Sequence, residues 1–339
     1  MAQVSEIETS ETGRVGVLLI NLGTPDDHSY WPMRRYLKEF LSDRRVIETN
    51  RFVWWFILNG IILTSRPRRS GEAYRKIWNC ERNESPLRTI TRGQAEALAA
   101  VYSDSSRVTV DWAMRYGEPQ IGERLRRLKQ TGHDRILLAP LYPQYSASTT
   151  ATALDKAYDV FKEMRWQPAI RTLPPYFDDP SYIAALAQSI RAHEERLGWK
   201  PERLLVSFHG LPETYVERGD PYYRQCMETA RLLKDVLRMH DNQMAVVFQS
   251  RFGKAEWIKP YADITVRELA RSGCRRLLAV CPGFSADCVE TLEEVGIGLR
   301  ETFIENGGEA FSTVPCLNDS KPAIEMLSAL IRRELLGWI

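Results

Sequence analysis

The sequence predicts an α/β protein of two doubly wound domains, each a parallel sheet with helices on both faces. Short apolar runs of strand length alternate with segments of helical spacing along nearly the whole chain. Such alternation produces parallel strands joined by right-handed crossovers. The 339 residues are also enough for two domains that each bury a core. We place the boundary at the Pro-rich turn 173–180, which gives domains over 14–176 and 177–318.

The predicted strands are apolar runs that end at Gly, Pro or polar turn residues. In chain order they span 15–21, 108–112, 136–141, a short run near 170, 204–207, 244–248 and 277–280. The predicted helices carry apolar residues at helical spacing. They span 30–40, 71–78, 92–102, 117–129, 151–164, 182–197, a segment ending near 238, 261–271, 287–304 and 321–336. Before the third of these helices, 85–89 is predicted to be an extended connector.

The ends of the chain and its composition narrow the class of protein. Residues 1–13 are polar, so we expect a disordered tail rather than a signal peptide, and 319–339 are expected to form a C-terminal helix. The six cysteines are scattered without a C-x-x-C pair, which indicates a reducing cytoplasm and no structural metal site. A formal net charge of +2 gives no support for a nucleic-acid partner.

Residues 52–63 form an unusually apolar stretch, FVWWFILNGIIL, and arginines follow it. The stretch is too short to span a bilayer, which needs about 20 apolar residues. Three interpretations fit: a buried core helix, a segment at a membrane interface with a basic flank, or the apolar lip of a ligand cleft. The adjacent tryptophans and the arginines behind them favour the latter two.

The loop after the predicted strand 204–207 reads SFHGLPETYVERGDPYYRQC and contains His209. In a parallel α/β sheet, ligands bind where strands end and loops begin. Histidine ionises near neutral pH and binds metals, so His209 is a candidate catalytic residue. A surface loop with one histidine of no special function is the alternative interpretation.

The segments after the other predicted strands have a similar polar and aromatic character: NLGTPD, MRYGEP, LYPQYS, QSRFG and CPGFSADC. Because parallel strands end at one edge of a sheet, segments from both domains can meet at one cleft. Neither GxxxxGK nor GxGxxG follows the first strand, so nucleotide binding is not indicated. Aromatic, amide, arginine and hydroxyl groups instead suit a large, flat, partly apolar ligand.

A row of carboxylates follows the predicted strand 277–280. Asp287, Glu290 and Glu294 have the spacing i, i+3 and i+7, which places them on one face near the start of the predicted helix 287–304. A solvated helical face would explain the same spacing without any function. If an imidazole shares their cleft, these carboxylates can bind a divalent metal weakly or accept protons from a substrate.

Six segments together resemble the ferrochelatases, the enzymes that insert ferrous iron into protoporphyrin in the last step of haem biosynthesis. They read LLINLGTPD, YPQYSASTTA, SFHGLPETYVERGDPYYRQC, FQSRFGKAEWIKPY, CPGFSADCVETLEEVG and PCLNDS, in this order between 15 and 320. The resemblance implies a lyase that needs no ATP. It also implies two Rossmann-like domains of the chelatase type, with the porphyrin in the cleft between them and no nucleotide.

The resemblance assigns roles to individual residues. His209 matches the family's essential histidine and Glu290 its essential glutamate, which are linked to iron binding and to removal of the pyrrole protons. Glu294 and Asp287 match an acidic trail proposed to carry metal or protons. The residues placed against the porphyrin are Leu22, Arg115, Tyr116, Tyr142 and Trp257, with Ser85 near the segment that binds propionates. We further predict, apart from these assignments, that Tyr215, Arg218 and Asp220 hold His209 in place.

The resemblance identifies 52–63 with the family's apolar lip, which covers the macrocycle and touches a membrane. We therefore expect a cytoplasmic protein with peripheral membrane contact through this segment. Some ferrochelatases hold a 2Fe-2S cluster, in animals through a cysteine in the YPQYS segment and three in a C-terminal extension. Here Ala147 stands at that cysteine's position and no extension follows Ile339, so we expect no such cluster and no tightly bound cofactor.

The expected partners are protoporphyrin IX and ferrous iron, with protohaem as the product. Two alternatives stay open at this point. One is a chelatase for coproporphyrin or another tetrapyrrole. The other is a non-catalytic porphyrin carrier, which would not need Glu290 or the neighbouring acids.

Overall fold

A computed structural model describes residues 13–253 and 255–339, so the predicted tail 1–13 lies outside the described residues except for Gly13. The first sheet has four parallel strands in the order β2–β1–β3–β4. The strands are β1 (Val15–Gly23), β2 (Val108–Tyr116), β3 (Arg135–Pro140) and β4 (Ala169–Thr172). β1 lies inside the sheet and is buried along nearly its whole length, as its unbroken apolar sequence predicts.

The second sheet repeats this arrangement in the order β6–β5–β7–β8. Its strands are β5 (Arg203–His209), β6 (Met244–Gln249), β7 (Arg276–Val280) and β8 (Ala310–Thr313). Two four-stranded parallel sheets flanked by helices confirm the predicted fold class. The sequence pattern does not predict β8, whose four residues AFST contain only one large apolar side chain, Phe311.

Twelve α-helices of the described residues accompany the sheets. They are α1 (Tyr30–Ser42), α2 (Arg51–Ile57), α3 (Leu63–Ile77), α4 (Pro86–Val101), α5 (Ile121–Gln130), α6 (Thr152–Lys162), α7 (Pro180–Glu194), α8 (Glu213–Glu217), α9 (Tyr222–Leu237), α10 (Ala262–Arg271), α11 (Arg300–Glu305) and α12 (Lys321–Glu334). Three π-helical segments adjoin them, at Leu58–Ile62, Ala147–Ala151 and Glu290–Leu299. Such widened turns are rare and are frequent at functional sites.

The predicted extended connector at 85–89 is wrong, because the helix begins there. Pro86 is the first residue of α4, and the Ser85 side chain accepts a hydrogen bond from the Arg88 backbone N–H at 3.3 Å. A serine cap satisfies an N–H that has no partner within the helix, and a proline at the first helical position has no N–H to satisfy.

The apolar core is continuous between the two sheets. Val17 and Leu19 of β1 belong to the same buried cluster as Val206 and Phe208 of β5. The C-terminal helix α12 packs against both α4 and α7. Burial of this shared apolar surface fixes the two sheets relative to one another. The predicted boundary after residue 176 falls between β4 and α7 and stays a prediction.

Residues 51–77 form one long helix that contains a π turn, and we call it the lip helix. Its buried side carries Trp54, while its outer side exposes 74% of Phe52, 59% of Trp55 and 64% of Ile61. This exposure excludes a fully buried core helix as the interpretation of 52–63. Within 13–253 and 255–339, no helix is long and apolar enough to cross a membrane.

Two contacts fix the lip helix against the first domain. Pro67 has no backbone N–H, so it cannot donate the usual helical hydrogen bond to the Leu63 carbonyl oxygen. The Tyr30 hydroxyl of α1 donates to that oxygen instead, at 3.0 Å. Gly71 follows one turn later, at a point where an added Cβ would lie only 2.2 Å from the His28 carbonyl oxygen. The lip helix can approach the loop before α1 this closely only because residue 71 is glycine.

Candidate active site

His209 ends β5 and pairs in register with Gln249 at the end of β6. Its Nδ1 lies 2.7 Å from the Gly210 carbonyl oxygen. A carbonyl oxygen only accepts hydrogen bonds, so in the neutral ring Nδ1 carries the proton and Nε2 has a free lone pair. The half-buried imidazole is therefore oriented so that Nε2 can act as a base or a metal ligand.

Trp257 lies beside the start of the loop that follows His209. The centroids of the two rings are 6.5 Å apart, and Trp257 Nε1 donates to the Phe252 carbonyl oxygen at 2.9 Å. A Cβ on Gly210 would lie 3.0 Å from Trp257 Cε3 and 2.7 Å from the Gln249 carbonyl oxygen. Glycine at this position lets the indole form an aromatic surface next to the imidazole.

Glu290 begins the π-helical segment Glu290–Leu299 and is tied to the ends of β5 and β6. The Gln249 side chain makes the connection. Its Nε2 donates to the Glu290 carbonyl oxygen at 2.9 Å, and its Oε1 accepts a hydrogen bond from Ser207 Oγ at 2.5 Å. Because Gln249 is almost completely buried, these bonds hold the start of the helix at the same sheet edge as His209.

Glu294 lies one turn after Glu290 on this segment. Its carboxylate accepts hydrogen bonds from the Ser250 backbone N–H, at 2.7 Å, and from the Ser250 hydroxyl. The pKa of Glu294 is raised above its ordinary value, chiefly because the carboxyl is buried. The charge of Glu290 also raises this pKa, whereas the Ser250 hydrogen bonds and the charge of His209 lower it without cancelling the effect of burial. These interactions join His209, Glu290 and Glu294 into one electrostatic group, which we call the His209 cluster.

Asp287 does not lie on the same face as these two glutamates, so this part of the predicted carboxylate row is wrong. The spacing i, i+3, i+7 assumes an α-helix from residue 287, but the helix is π-helical and Asp287 precedes it. The buried Asp287 accepts hydrogen bonds from Thr291 Oγ1 at 2.8 Å and from Asn318 Nδ2 at 2.7 Å. Its two oxygens are thus bonded to protein groups and fix the segment before Glu290.

Two buried tyrosines near Glu290 are not found by sequence reasoning. Tyr36 of α1 donates to the Gly23 carbonyl oxygen at 3.2 Å, and Tyr74 belongs to the lip helix. Burial raises the pKa of both hydroxyls, and the charge of Glu290 contributes to both shifts. Both side chains are therefore neutral hydrogen-bond donors at physiological pH.

Arg115 and Tyr116 end β2 next to the end of β1. The Asp43 carboxylate accepts hydrogen bonds from the Arg115 guanidinium, from the Tyr116 hydroxyl at 2.9 Å and from the Thr152 hydroxyl. The Arg115 guanidinium also lies 4.3 Å from the centroid of the Tyr116 ring. Tyr116 is completely buried, whereas Arg115 keeps some exposed surface. The Tyr116 ring therefore packs against Arg115 on the protein-interior side.

The other predicted porphyrin contacts lie at different depths. Leu22, near the end of β1, is half-buried and packs against the clusters of both the first sheet and the lip helix. Tyr142 is nearly buried, and its hydroxyl has no hydrogen-bond partner among the described residues. Ser85 is 1% exposed, and its Oγ accepts the hydrogen bond that caps α4, which leaves its O–H as a donor; its place near the propionate-binding segment stays a prediction.

The three side chains expected to hold His209 in place all make polar contacts with the first domain. The Tyr215 hydroxyl donates to Val46 O at 3.1 Å, Arg218 pairs with Glu48 at 2.6 Å, and Asp220 accepts from Ala147 N at 2.8 Å. These contacts attach the loop after β5 to the first domain, and the effect of the three side chains on His209 stays a prediction.

The described residues contain no group of three or more His, Cys, Asp or Glu side chains arranged to hold a metal ion. An imidazole and carboxylates such as those of the His209 cluster are groups that can contact a divalent metal ion.

Residues 14–335 match the family described as Ferrochelatase. A ferrochelatase of Agrobacterium fabrum (strain C58) is 56% identical over 327 residues, which cover 96% of this chain and 95% of that protein. A ferrochelatase of Brucella ovis is 54% identical over 338 residues, which cover 100% of this chain and 96% of that protein.

Solved structures of chelatases share the fold. SirB from Bacillus subtilis, solved with Fe3+, has a TM-score of 0.57 at 11% identity and covers 94% of this chain and 95% of its own. CbiX, described as the terminal enzyme for siroheme biosynthesis in denitrifying bacteria, has a TM-score of 0.52 at 16% identity. The match covers 94% of this chain and 98% of the CbiX chain. At these identities the likeness shows the two-domain α/β fold alone.

Proposed function

Because the chain belongs to the ferrochelatase family, it inserts ferrous iron into protoporphyrin IX to form haem, and we propose that the His209 cluster is where the iron enters the ring. The observation that supports this site is the orientation of His209: its Nε2 has a free lone pair, and the charges of His209 and Glu290 both act on the carboxyl of Glu294. An imidazole and carboxylates are the groups that can both contact Fe(II) and accept protons.

Insertion removes two pyrrole N–H protons from the ring and adds one Fe(II), so the charge is balanced only if two protons leave. We assign the first acceptor role to His209 Nε2 and the second to Glu290. The raised pKa of Glu294 keeps its carboxyl protonated at higher pH than a free glutamate. Glu294 can therefore hold a proton received from the site before the proton passes to solvent.

The opposite wall of the cleft is assigned to Leu22, Arg115 and Tyr142 of the first domain, with Tyr116 supporting Arg115 and Trp257 beside His209. Rigid apolar and aromatic surfaces can use binding energy to bend a planar ring, which exposes its nitrogen lone pairs to the metal. Ser85 is kept near the segment that binds propionates, because its O–H can still donate, whereas Asp287 is not included as a metal ligand, because both of its oxygens accept hydrogen bonds from protein groups.

An activity assay with two porphyrins tests this proposal. Purified protein, Fe(II) and protoporphyrin IX are mixed without oxygen, and haem formation is followed by absorbance. We expect turnover, and slower insertion with coproporphyrin, because its additional carboxylates would be desolvated against apolar surface. Porphyrin uptake without metal insertion would indicate a carrier, and faster insertion into coproporphyrin would contradict the assigned substrate.

Membrane contact through the lip helix is part of the same proposal. The apolar side chains on its outer side are flanked by the exposed residues Arg51 and Arg69. An apolar ridge with basic neighbours matches segments that lie at the surface of anionic bilayers. We propose peripheral attachment at the cytoplasmic face of a membrane, where an apolar porphyrin can be received.

Replacing Trp55 by serine is expected to weaken binding to vesicles of phosphatidylglycerol and phosphatidylcholine by about tenfold, because a buried tryptophan contributes roughly 1.5–3 kcal/mol. Co-sedimentation at increasing lipid concentration measures the change. Trp166→Ser is the matched control, since Trp166 is 66% exposed but lies outside the lip helix. Equal lipid affinity of the two variants would show that the lip helix does not bind the bilayer.

We also propose that the enzyme works without a tightly bound cofactor. Ala147 provides no thiol in the π-helical segment after Tyr142, and the buried cysteines have raised thiol pKa values, which disfavours the thiolate that iron–sulfur clusters require. Iron enters this reaction only as a substrate.

A further inference from the structure

Residues 43–50 connect α1 to the lip helix, and we call them the 43–50 connector. Asp43 organises its backbone: Asp43 Oδ1 accepts from Arg45 N at 2.7 Å, and the Asp43 carbonyl oxygen accepts from Ile47 N at 3.0 Å. Val46 and Ile47 pack against the apolar cluster of the lip helix. The connector is therefore an ordered turn rather than a loose loop.

The first end of the connector holds the wall formed by β2 and α6. A single oxygen, Asp43 Oδ2, accepts hydrogen bonds from Arg115, Tyr116 and Thr152. Burial alone would raise the pKa of Asp43, but its hydrogen bonds and the Arg115 charge lower it below the ordinary value. The carboxylate is therefore charged at neutral pH and fixes the orientation of the Arg115 guanidinium.

The other end of the connector holds the loop that follows His209. The Tyr215 hydroxyl donates to Val46 O at 3.1 Å and accepts from Glu48 N at 3.2 Å, so it bonds two backbone groups of the connector. Arg218 adds an ion pair to Glu48 at 2.6 Å, which contributes little because Arg218 is mostly exposed. Tyr215 is thus the main polar link between the connector and the second domain.

The loop between His209 and Tyr215 is short and has its own support. Ile258 N donates to Leu211 O at 2.9 Å, and Glu213 N donates to Glu256 O at 3.0 Å. These bonds join the loop to the segment that carries Trp257. A displacement of Tyr215 is therefore transmitted to the side of the cleft where His209 and Trp257 lie.

We propose that the 43–50 connector fixes the distance between the two walls of the cleft, with Asp43 and Tyr215 as positioning residues that set Arg115 against His209 during iron insertion. Neither residue needs to touch the substrate. The connector acts on the geometry of the cleft, because a porphyrin ring can be bent only between rigid surfaces. A displacement of catalytic or substrate-positioning groups by about 1 Å can lower the rate about 10²-fold.

This inference rests on the proposed function, and the experiment separates the two. We compare wild type, Tyr215→Phe, Asp43→Asn and the double variant for iron insertion into protoporphyrin IX, for porphyrin affinity by fluorescence quenching, and for out-of-plane ring distortion by resonance Raman spectroscopy. A wild-type protein that neither binds nor metallates porphyrin would reject the proposed function. An active wild type makes the variants a test of the connector alone.

Each single variant is expected to lower kcat about tenfold with KM for the porphyrin within about twofold, and to weaken the Raman lines of the distorted ring. The double variant should be about as slow as the slower single variant, because either substitution interrupts the same link between Arg115 and the loop after His209. Rate losses that multiply, or a Tyr215→Phe protein with unchanged kcat and Raman lines, would overturn the proposal.

Two further variants keep the comparison interpretable. Tyr158→Phe is the matched control, since Tyr158 is an exposed tyrosine of α6 outside the connector, and it should behave like wild type in all three measurements. If Asp43→Asn does not fold, Thr152→Val replaces it in the cycle, because it removes the hydrogen bond that Thr152 donates to Asp43 and the one that it accepts from Arg115 Nε, without changing side-chain volume greatly. The losses in kcat caused by Thr152→Val and Tyr215→Phe are then expected to be non-additive in the same way.

Discussion

Replacing His209 by alanine is expected to lower kcat for iron insertion by about 10²–10⁴-fold, the usual contribution of a positioned general base. The reason is that Nε2 is the unprotonated nitrogen of the neutral ring, since Nδ1 donates to the Gly210 carbonyl oxygen. Stopped-flow or steady-state haem formation measures the loss. Porphyrin affinity should change little, because the walls of the cleft keep their apolar and aromatic surfaces.

The matched control is His240→Ala, which removes an exposed histidine from the loop before β6. It should keep wild-type turnover and nearly wild-type thermal stability. If His209→Ala retains more than about one tenth of wild-type kcat, His209 is not the proton acceptor, whereas loss of porphyrin binding would assign it to substrate binding instead.

The location of His209 could be predicted because it depends on a local pattern. A buried parallel strand is a short, continuous apolar run, and β5 was recognisable from Leu204, Leu205 and Val206 alone. Parallel topology then places the residue after such a run at the ligand-binding edge of the sheet. The fold class and this candidate residue therefore follow from the sequence without tertiary information.

The arrangement of the carboxylates could not be predicted in the same way. A π-helix has no local sequence signature that separates it from an α-helix, and here its start is held by partners distant in sequence, Gln249 for Glu290 and Asn318 for Asp287. Counting residues at α-helical spacing therefore placed Asp287 on the wrong face. The predicted spacing is therefore wrong for Asp287, and the functional role of the segment stays a prediction.

Residues that act through distant contacts left no signal in the sequence. Tyr36 and Tyr74 have the spacing of ordinary core aromatics, and only the fold brings them near Glu290. Asp43 and Thr152 are separated by more than a hundred residues, yet they share one hydrogen bond beside Arg115. Such pairs depend on how the lip helix packs against the sheets, which local patterns do not determine.

Replacing Glu290 by glutamine is expected to lower kcat for insertion by about 10²-fold while leaving porphyrin uptake unchanged. Glutamine has nearly the same shape, but it cannot accept a pyrrole proton or balance the charge of Fe(II). The backbone contact from Gln249 involves the Glu290 carbonyl oxygen, so it is retained and the helix start should not move. Haem formation and porphyrin fluorescence quenching measure the two effects separately.

Glu293→Gln is the matched control on the same π-helical segment. Glu293 pairs with Lys76 of the lip helix at 2.8 Å, and the lysine side chain is about half exposed, so losing this pair should cost little stability and little activity. A Glu290→Gln protein that inserts iron at the wild-type rate would remove Glu290 from the proton path. Proton transfer would then have to run from His209 to Glu294, the carboxyl whose pKa burial already raises.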